Sequence, residues 1–236
     1  MGNSLEPALV QAIRERWLQQ LKKHRAIAII RAPSVKIGLS MAKAAAKGGF
    51  CLIEVAWHNN AQPAAMVATL RQALPQCVVG VGTVLTEADL QDAVSAGAAF
   101  CFTPHTNCQL IEQAIALNCP IIAGAMTPTE IMTAWQAGAA SVKVFPISAL
   151  GNAQYVRSLL GPLGPIPLVP TGGVTSESAP QLIEAGAIAV GLSTALFPPT
   201  EIETQDWAAI ETRSRYLITL LTGHPNNVPN ATGLPG

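Results

Sequence analysis

A lysine and a glutamate stand within apolar runs, where a charge is costly, and they are where chemistry is to be sought. Lys143 lies in Ser141-Val142-Lys143-Val144-Phe145-Pro146, while the other five of the six lysines fall at or before residue 47. An ammonium withdrawn from water loses solvation, so its pKa falls and it supplies the neutral amine that attacks a carbonyl. Glu54 lies in Cys51-Leu52-Ile53-Glu54-Val55-Ala56 and is the only acid in any of the eight short apolar runs described below. Burial raises a carboxyl pKa toward neutrality and suits it to moving protons. The same two residues would also serve as a structural ion pair, with each other or with Arg31.

Other polar and glycine positions follow apolar runs and would share a rim with this pair. Thr83 closes Gly80-Val81-Gly82-Thr83, and Pro104 closes Phe102-Thr103-Pro104. The Gly-x-Gly here is no dinucleotide fingerprint, because no third glycine opens the next helix. Thr171-Gly172-Gly173-Val174-Thr175 and Gly191-Leu192-Ser193-Thr194 follow the last two runs. Glycines there let backbone N–H groups converge on an anion, a helix N-terminus would add partial positive charge, and Ser193 can donate a hydroxyl, so the pair reads as a phosphate cradle.

The elements that must position these residues alternate. Apolar runs at Ala26–Arg31, Cys51–Val55, Cys77–Gly82, Ala99–Thr103, Pro120–Gly124, Ser141–Phe145, Pro167–Pro170 and Ala187–Gly191 are near-continuous, as in parallel strands covered on both faces. Between them, helical spacing marks Val35–Lys47, Pro63–Leu74, Glu87–Ala96, Asn107–Leu117, Thr129–Gln136, Ala153–Leu160 and Ser176–Glu184. Ala-Gly-Ala recurs at 96–98, 137–139 and 185–187, an echo of one repeated βα unit. Eight such units predict a single (β/α)8 TIM barrel over residues 1–222, with an extra N-terminal helix at about Leu5–Lys23 and a last helix at about Thr204–Leu221. Residues 223–236, rich in Pro, Asn and Gly, read as a disordered tail. In period-2 alternation Lys143 shares a face with Phe145, which points its amine into the barrel.

Composition narrows the function. Fourteen basic residues balance fourteen acidic ones, so no overall field gathers nucleic acid or an anionic membrane surface. The five cysteines form no CxxC pair and the four histidines are scattered without metal-ligand spacing, so no metal and no cofactor is expected. The absence of a leader pattern or a bilayer-length apolar run leads to an expected cytoplasmic location. Besides an enzyme that forms an imine at Lys143, a sugar-phosphate isomerase or epimerase using Lys143 and Glu54 as an acid/base pair fits these features, as does a non-catalytic phosphate-ligand binding barrel.

Taken in order, Ile53-Glu54-Val55, Gly80-Val81-Gly82-Thr83, Phe102-Thr103-Pro104, Val142-Lys143-Val144-Phe145-Pro146 and Pro170-Thr171-Gly172-Gly173-Val174 resemble the class I 2-keto-3-deoxy-6-phosphogluconate aldolases. That family includes the 2-keto-3-deoxy-6-phosphogalactonate and 4-hydroxy-2-oxoglutarate aldolases, and the similarity spans about residues 25–200. The resemblance implies that Lys143 forms a Schiff base with a phosphorylated 2-keto acid and that Glu54 is the acid/base. It also implies that Thr83, Pro104, Phe145 and Thr171 shape the keto-acid pocket, that Gly172, Gly173 and Ser193 receive the phosphate, that Arg31 helps bind the anion, and that the protein is a homotrimer. One departure stands out: the phosphogluconate enzymes carry arginine four residues after the glutamate, and this chain has His58. A histidine cannot reproduce the bidentate fork of arginine. That feature, with Phe145-Pro146-Ile147-Ser148-Ala149-Leu150-Gly151, is similar to the phosphogalactonate branch.

Overall fold

A computed structural model describes residues 7–59 and 61–223. Eight strands run β1 Ala26–Ile30, β2 Leu52–Ala56, β3 Val78–Gly82, β4 Cys101–Phe102, β5 Ile121–Ala125, β6 Ser141–Val144, β7 Leu168–Pro170 and β8 Val190–Leu192. Every ladder is parallel, and the hydrogen-bonded order is β7-β6-β5-β4-β3-β2-β1-β8. The ring closes between β7 and β8 through a backbone bond from Ile188 N–H to Leu168 C=O, at 3.0 Å. Proline thins that seam. Pro167 C=O and Thr171 N–H bond β6, which leaves Leu168 and Pro170 facing β8, and Pro170 has no N–H to donate.

Helices α1 Pro7–His24, α2 Val35–Lys47, α3 Pro63–Ala73, α4 Glu87–Ser95, α5 Cys108–Ala116, α6 Pro128–Gln136, α7 Asn152–Leu163, α8 Ser178–Glu184, α9 Pro199–Glu203 and α10 Trp207–Thr222 complete the chain. Their starts are written in side chains. Ser34 caps α2, Asn107 caps α5, and Thr86/Asp89 and Thr127/Glu130 form capping boxes on α4 and α6. The recurrent glycines at 97, 138 and 186 adopt φ of 92°, 103° and 106°, which ends each helix and turns the chain toward the next strand.

Several boundaries differ from the sequence expectation, each for a local reason. The eighth strand begins at Val190 rather than Ala187, because Ala187 N–H is taken by Leu182 C=O at the end of α8. The last helix starts at Trp207 rather than Thr204, because Gln205 adopts φ 56° and Asp206 caps the start through Ala209 N–H, and the short helix α9 precedes it. The proposed phosphate loops do not lead directly into helices. A turn closed by Leu196 and Phe197 N–H on Ser193 C=O follows β8, and α8 starts only at Ser178. Backbone N–H groups and hydroxyls, not helix dipoles, are therefore what those loops offer. The expected tail lies outside the described residues apart from Gly223, as do Leu5 and Glu6 of the expected first helix. Among the described residues no helix is long and apolar enough to cross a membrane.

Strand register decides which side chains fill the barrel. Ile29, Glu54 and Gly80 are lateral partners, and so are Gly124, Lys143 and Val169. At the N-terminal mouth, Trp17 of α1 is buried against Phe100 and Phe102, with ring centroids 4.8 and 6.2 Å away, and its indole N–H donates to Ser141 Oγ at 2.9 Å. The extra helix is thus a plug, which leaves the C-terminal mouth as the open end.

Candidate active site

The alternation of β6 turns Lys143 inward between Ser141 and Phe145, and burial is nearly complete at 4 % exposure. Its Nζ lies 4.8 Å from the Phe145 ring centroid and 5.9 Å from that of Phe102. Glu54, 1 % exposed, faces the same interior from β2. They make no direct ion pair: the three ion pairs among the described residues are His58–Asp89, Arg213–Glu201 and Arg215–Glu211. Oε2 of Glu54 is buried without a hydrogen-bond partner in the protein.

Desolvation dominates the titration of both groups. Burial pushes the Lys143 ammonium below the usual lysine range, opposed by the Glu54 charge and reinforced by Arg31. Burial likewise pushes Glu54 above the usual carboxyl range, opposed by Lys143 and Arg31. For each residue the loss of hydration outweighs attraction to its partner. Burial thus moves both groups toward their uncharged forms, so that more of the amine is free to attack a carbonyl and the carboxyl keeps a proton to a higher pH than usual.

Space for the carboxyl comes from a missing side chain. A Cβ on Gly82 would stand 1.7 Å from Glu54 Oε1 and 2.4 Å from Cδ. Gly124 does the same for the β4 loop, since its Cβ would meet the Pro104 carbonyl carbon at 2.3 Å. That loop is pinned by Thr103, whose hydroxyl donates to His105 C=O at 2.6 Å and accepts from Gly124 N–H at 3.1 Å. Thr83, a β-branched residue at φ 65°, ends β3 in a left-handed conformation that costs energy and is characteristic of functional loops.

The glycine pair after β7 packs onto the turn after β6. Gly172 and Gly173 adopt φ of 87° and 75°, and Cβ atoms there would strike the Phe145 ring at 2.8 Å and Ser148 Oγ at 2.3 Å. Thr171 is buried and lies against Gly191 of β8, whose Cβ would be 2.7 Å from Thr171 Oγ1. Ser193 and Arg31 line one cavity of about 300 Å³ with Ile29, Met41 and Phe197. Arg31 is exposed and donates to Asn59 Oδ1 at 2.7 Å. His58, where the resemblance expects arginine, is 47 % exposed and paired with Asp89 at 3.1 Å.

The expected residues thus divide into three groups. Lys143, Glu54 and Phe145 share the interior, and the charge of Arg31 bears on the first two; Thr171, Gly172, Gly173 and Ser193 lie on adjacent loops; Thr83 and Pro104 sit on the β3 and β4 rim. Sequence reasoning missed Phe102, Gly82, Gly124, Thr103 and Ser148. Only the Gly-x-Gly of β3 hinted that a side chain was being excluded. Among the described residues no three His, Cys, Asp or Glu side chains converge as metal ligands.

Comparison with known proteins identifies the family of the chain. Residues 18–213 match the model of the aldolase family described as KDPG and KHG aldolase. The chain is 30 % identical over 187 residues to the 2-dehydro-3-deoxy-phosphogluconate aldolase of Pseudomonas aeruginosa, covering 79 % of this chain and 84 % of that one. It is also 30 % identical over 172 residues to the 2-dehydro-3-deoxy-6-phosphogalactonate aldolase of Escherichia coli strain K12, covering 72 % and 83 %. A solved structure described as native KDPGal superposes with a TM-score of 0.75 at 28 % identity, covering 83 % of this chain and 93 % of that one.

Proposed function

Because the chain belongs to the KDPG and KHG aldolase family, and so among the carbon–carbon lyases, we propose that it is a class I enzyme that cleaves 2-keto-3-deoxy-6-phosphogluconate to pyruvate and glyceraldehyde 3-phosphate. The neutral amine of Lys143 adds to the C2 carbonyl, and a proton taken from solvent lets the carbinolamine hydroxyl leave as water, which gives a protonated imine. Glu54, as its carboxylate and acting through a water, takes the proton of the C4 hydroxyl. The C3–C4 electron pair flows into the imine, which releases the aldehyde and leaves the enamine of pyruvate. Glu54 then returns its proton to C3, and water hydrolyses the imine.

The remaining roles follow the same reading. Phe145, Thr83, Pro104 and Thr171 shape the keto-acid pocket, Gly172, Gly173 and Ser193 receive the phosphate, and Arg31 attracts the anionic substrate. The observation that carries the proposal is a lysine amine buried inside the barrel, its ammonium form disfavoured by desolvation, facing the same interior as a buried carboxyl with an unpartnered oxygen. The galactonate epimer is a second reading, favoured by His58, whose ring is held by Asp89 and offers no guanidinium fork to a carboxylate.

Borohydride reduction in the presence of pyruvate tests the central step. Stable added mass at Lys143 is expected, and its loss in Lys143→Met. Coupled measurement of pyruvate release from the gluconate and galactonate phosphates, beside 4-hydroxy-2-oxoglutarate, decides the substrate. Negligible rates on all three would undo the assignment.

A further inference from the structure

Strand order places the loops of β6, β7 and β8 side by side at the open mouth, with the Gly172–Gly173 turn in the middle. Ser193 stands on the β8 side. On the β6 side, the short 3-10 turn Ile147–Leu150 is docked onto the glycine pair by two backbone bonds, Ile147 N–H to Thr171 C=O at 2.9 Å and Ser148 N–H to Gly172 C=O at 3.1 Å. This docking brings the Ser148 side chain against Gly173, close enough that a Cβ on Gly173 would lie 2.3 Å from Ser148 Oγ and 2.5 Å from its Cβ. Ser148 is exposed at the rim, and its hydroxyl makes no hydrogen bond to any described residue.

We infer that Ser148 is a further binding residue at the phosphate end of the site, and that it sets the preference for a phosphorylated over an unphosphorylated 2-keto acid. The inference rests on the function proposed above. A phosphate dianion carries three strong acceptor oxygens, more than two glycine N–H groups and one serine can satisfy. Ser148 supplies a second hydroxyl from the opposite flank, so the anion is gripped from both sides of the Gly172–Gly173 turn. A substrate ending in a hydroxyl or a short carboxylate leaves this donor unused, so its binding is insensitive to position 148. Neither composition nor spacing marks this serine, because its proximity to Gly173 exists only once the β6 and β7 loops are packed together.

The test compares wild type, Ser148→Ala and Ser148→Asp in the full chain. Loss of one hydrogen bond to a charged group lowers kcat/KM of Ser148→Ala for the phosphorylated acid about tenfold, through KM with kcat nearly unchanged. The carboxylate of Ser148→Asp repels the phosphate and lowers it further. In Ser148→Ala the loss on 4-hydroxy-2-oxoglutarate is small beside that on the phosphorylated acid, and the midpoint for thermal stabilisation by inorganic phosphate rises in both variants. Equal losses on the two substrates, or no loss on either, overturn the role of Ser148. Borohydride trapping of pyruvate in the same preparations separates the two levels. If trapping succeeds and no phosphorylated acid is preferred even by wild type, the inference is overturned while the lysine chemistry stands. If trapping fails, the proposed function fails and the inference falls with it.

Discussion

Gly82→Ala should disable proton transfer while leaving imine formation intact. The new methyl carbon would stand 1.7 Å from Glu54 Oε1, 2.4 Å from Cδ and 2.9 Å from Cγ, against 3.4–4 Å for ordinary contact. The carboxyl must therefore move by more than 1 Å, and the well-packed interior leaves few places for it. A displacement of about 1 Å at a reacting group is worth about 10²-fold in rate, and general acid–base catalysis contributes about 10²–10⁴-fold, so kcat should fall about 100-fold. Overpacking should also cost about 1–3 kcal/mol of stability. Lys143 is three strands away on β6, so borohydride trapping of pyruvate should persist. Steady-state cleavage and exchange of the pyruvate methyl protons with D2O read the two halves of the reaction. In an E54Q background the second substitution should add almost nothing, since both act through one carboxyl. If Gly82→Ala cleaves substrate within threefold of wild type, or if its loss adds fully to that of E54Q, Glu54 is not the proton carrier and the reasoning is refuted.

Three further outcomes follow from the same interior. The pH profile of kcat/KM should carry an acid limb above the ordinary glutamate range and a basic limb below the ordinary lysine range, as properties of the coupled pair. Arg31 lowers both groups, so Arg31→Met should shift both limbs to higher pH, more so at low salt; a shift in opposite directions would contradict the electrostatics. Lys143 has a depressed folded pKa, so its contribution to stability is full above its unfolded value of 10.5 and is lost as pH falls through the folded value. Lys143→Met should accordingly raise Tm by about 2–4 °C at neutral pH while abolishing turnover, a trade calorimetry would detect. Trp17→Ala unplugs the N-terminal mouth and should cost about 3–5 kcal/mol in urea unfolding; an unchanged midpoint would mean that α1 is not needed to close the barrel.

Much of the fold and of the candidate pair is legible in the chain itself, because the relevant signals are local. Parallel strands covered on both faces must be apolar throughout, so eight short runs separated by helical spacing specify the barrel. In such runs one lysine and one glutamate are conspicuous, and alternation alone turns Lys143 toward the interior. Helix ends are readable to within a few residues wherever a cap or a glycine marks them, as at Ser34, Thr86 and Gly97.

What the sequence could not decide depends on which side chains meet after the ring closes. Trp17 reaches Ser141 across 124 residues, and His58 reaches Asp89 of α4 from the turn after β2, so neither pairing leaves a trace in spacing. The room for Glu54 is made by Gly82 on the neighbouring strand, and only strand register turns that glycine toward the carboxyl. Spacing alone would lend the loops after β7 and β8 helix dipoles, yet tertiary packing gives them hydroxyls and bare backbone, because the chain after β8 turns on Ser193 before any helix begins. Periodicity fixes which face a residue occupies; the distance between two faces is set by the curvature of the closed sheet, which no single segment encodes.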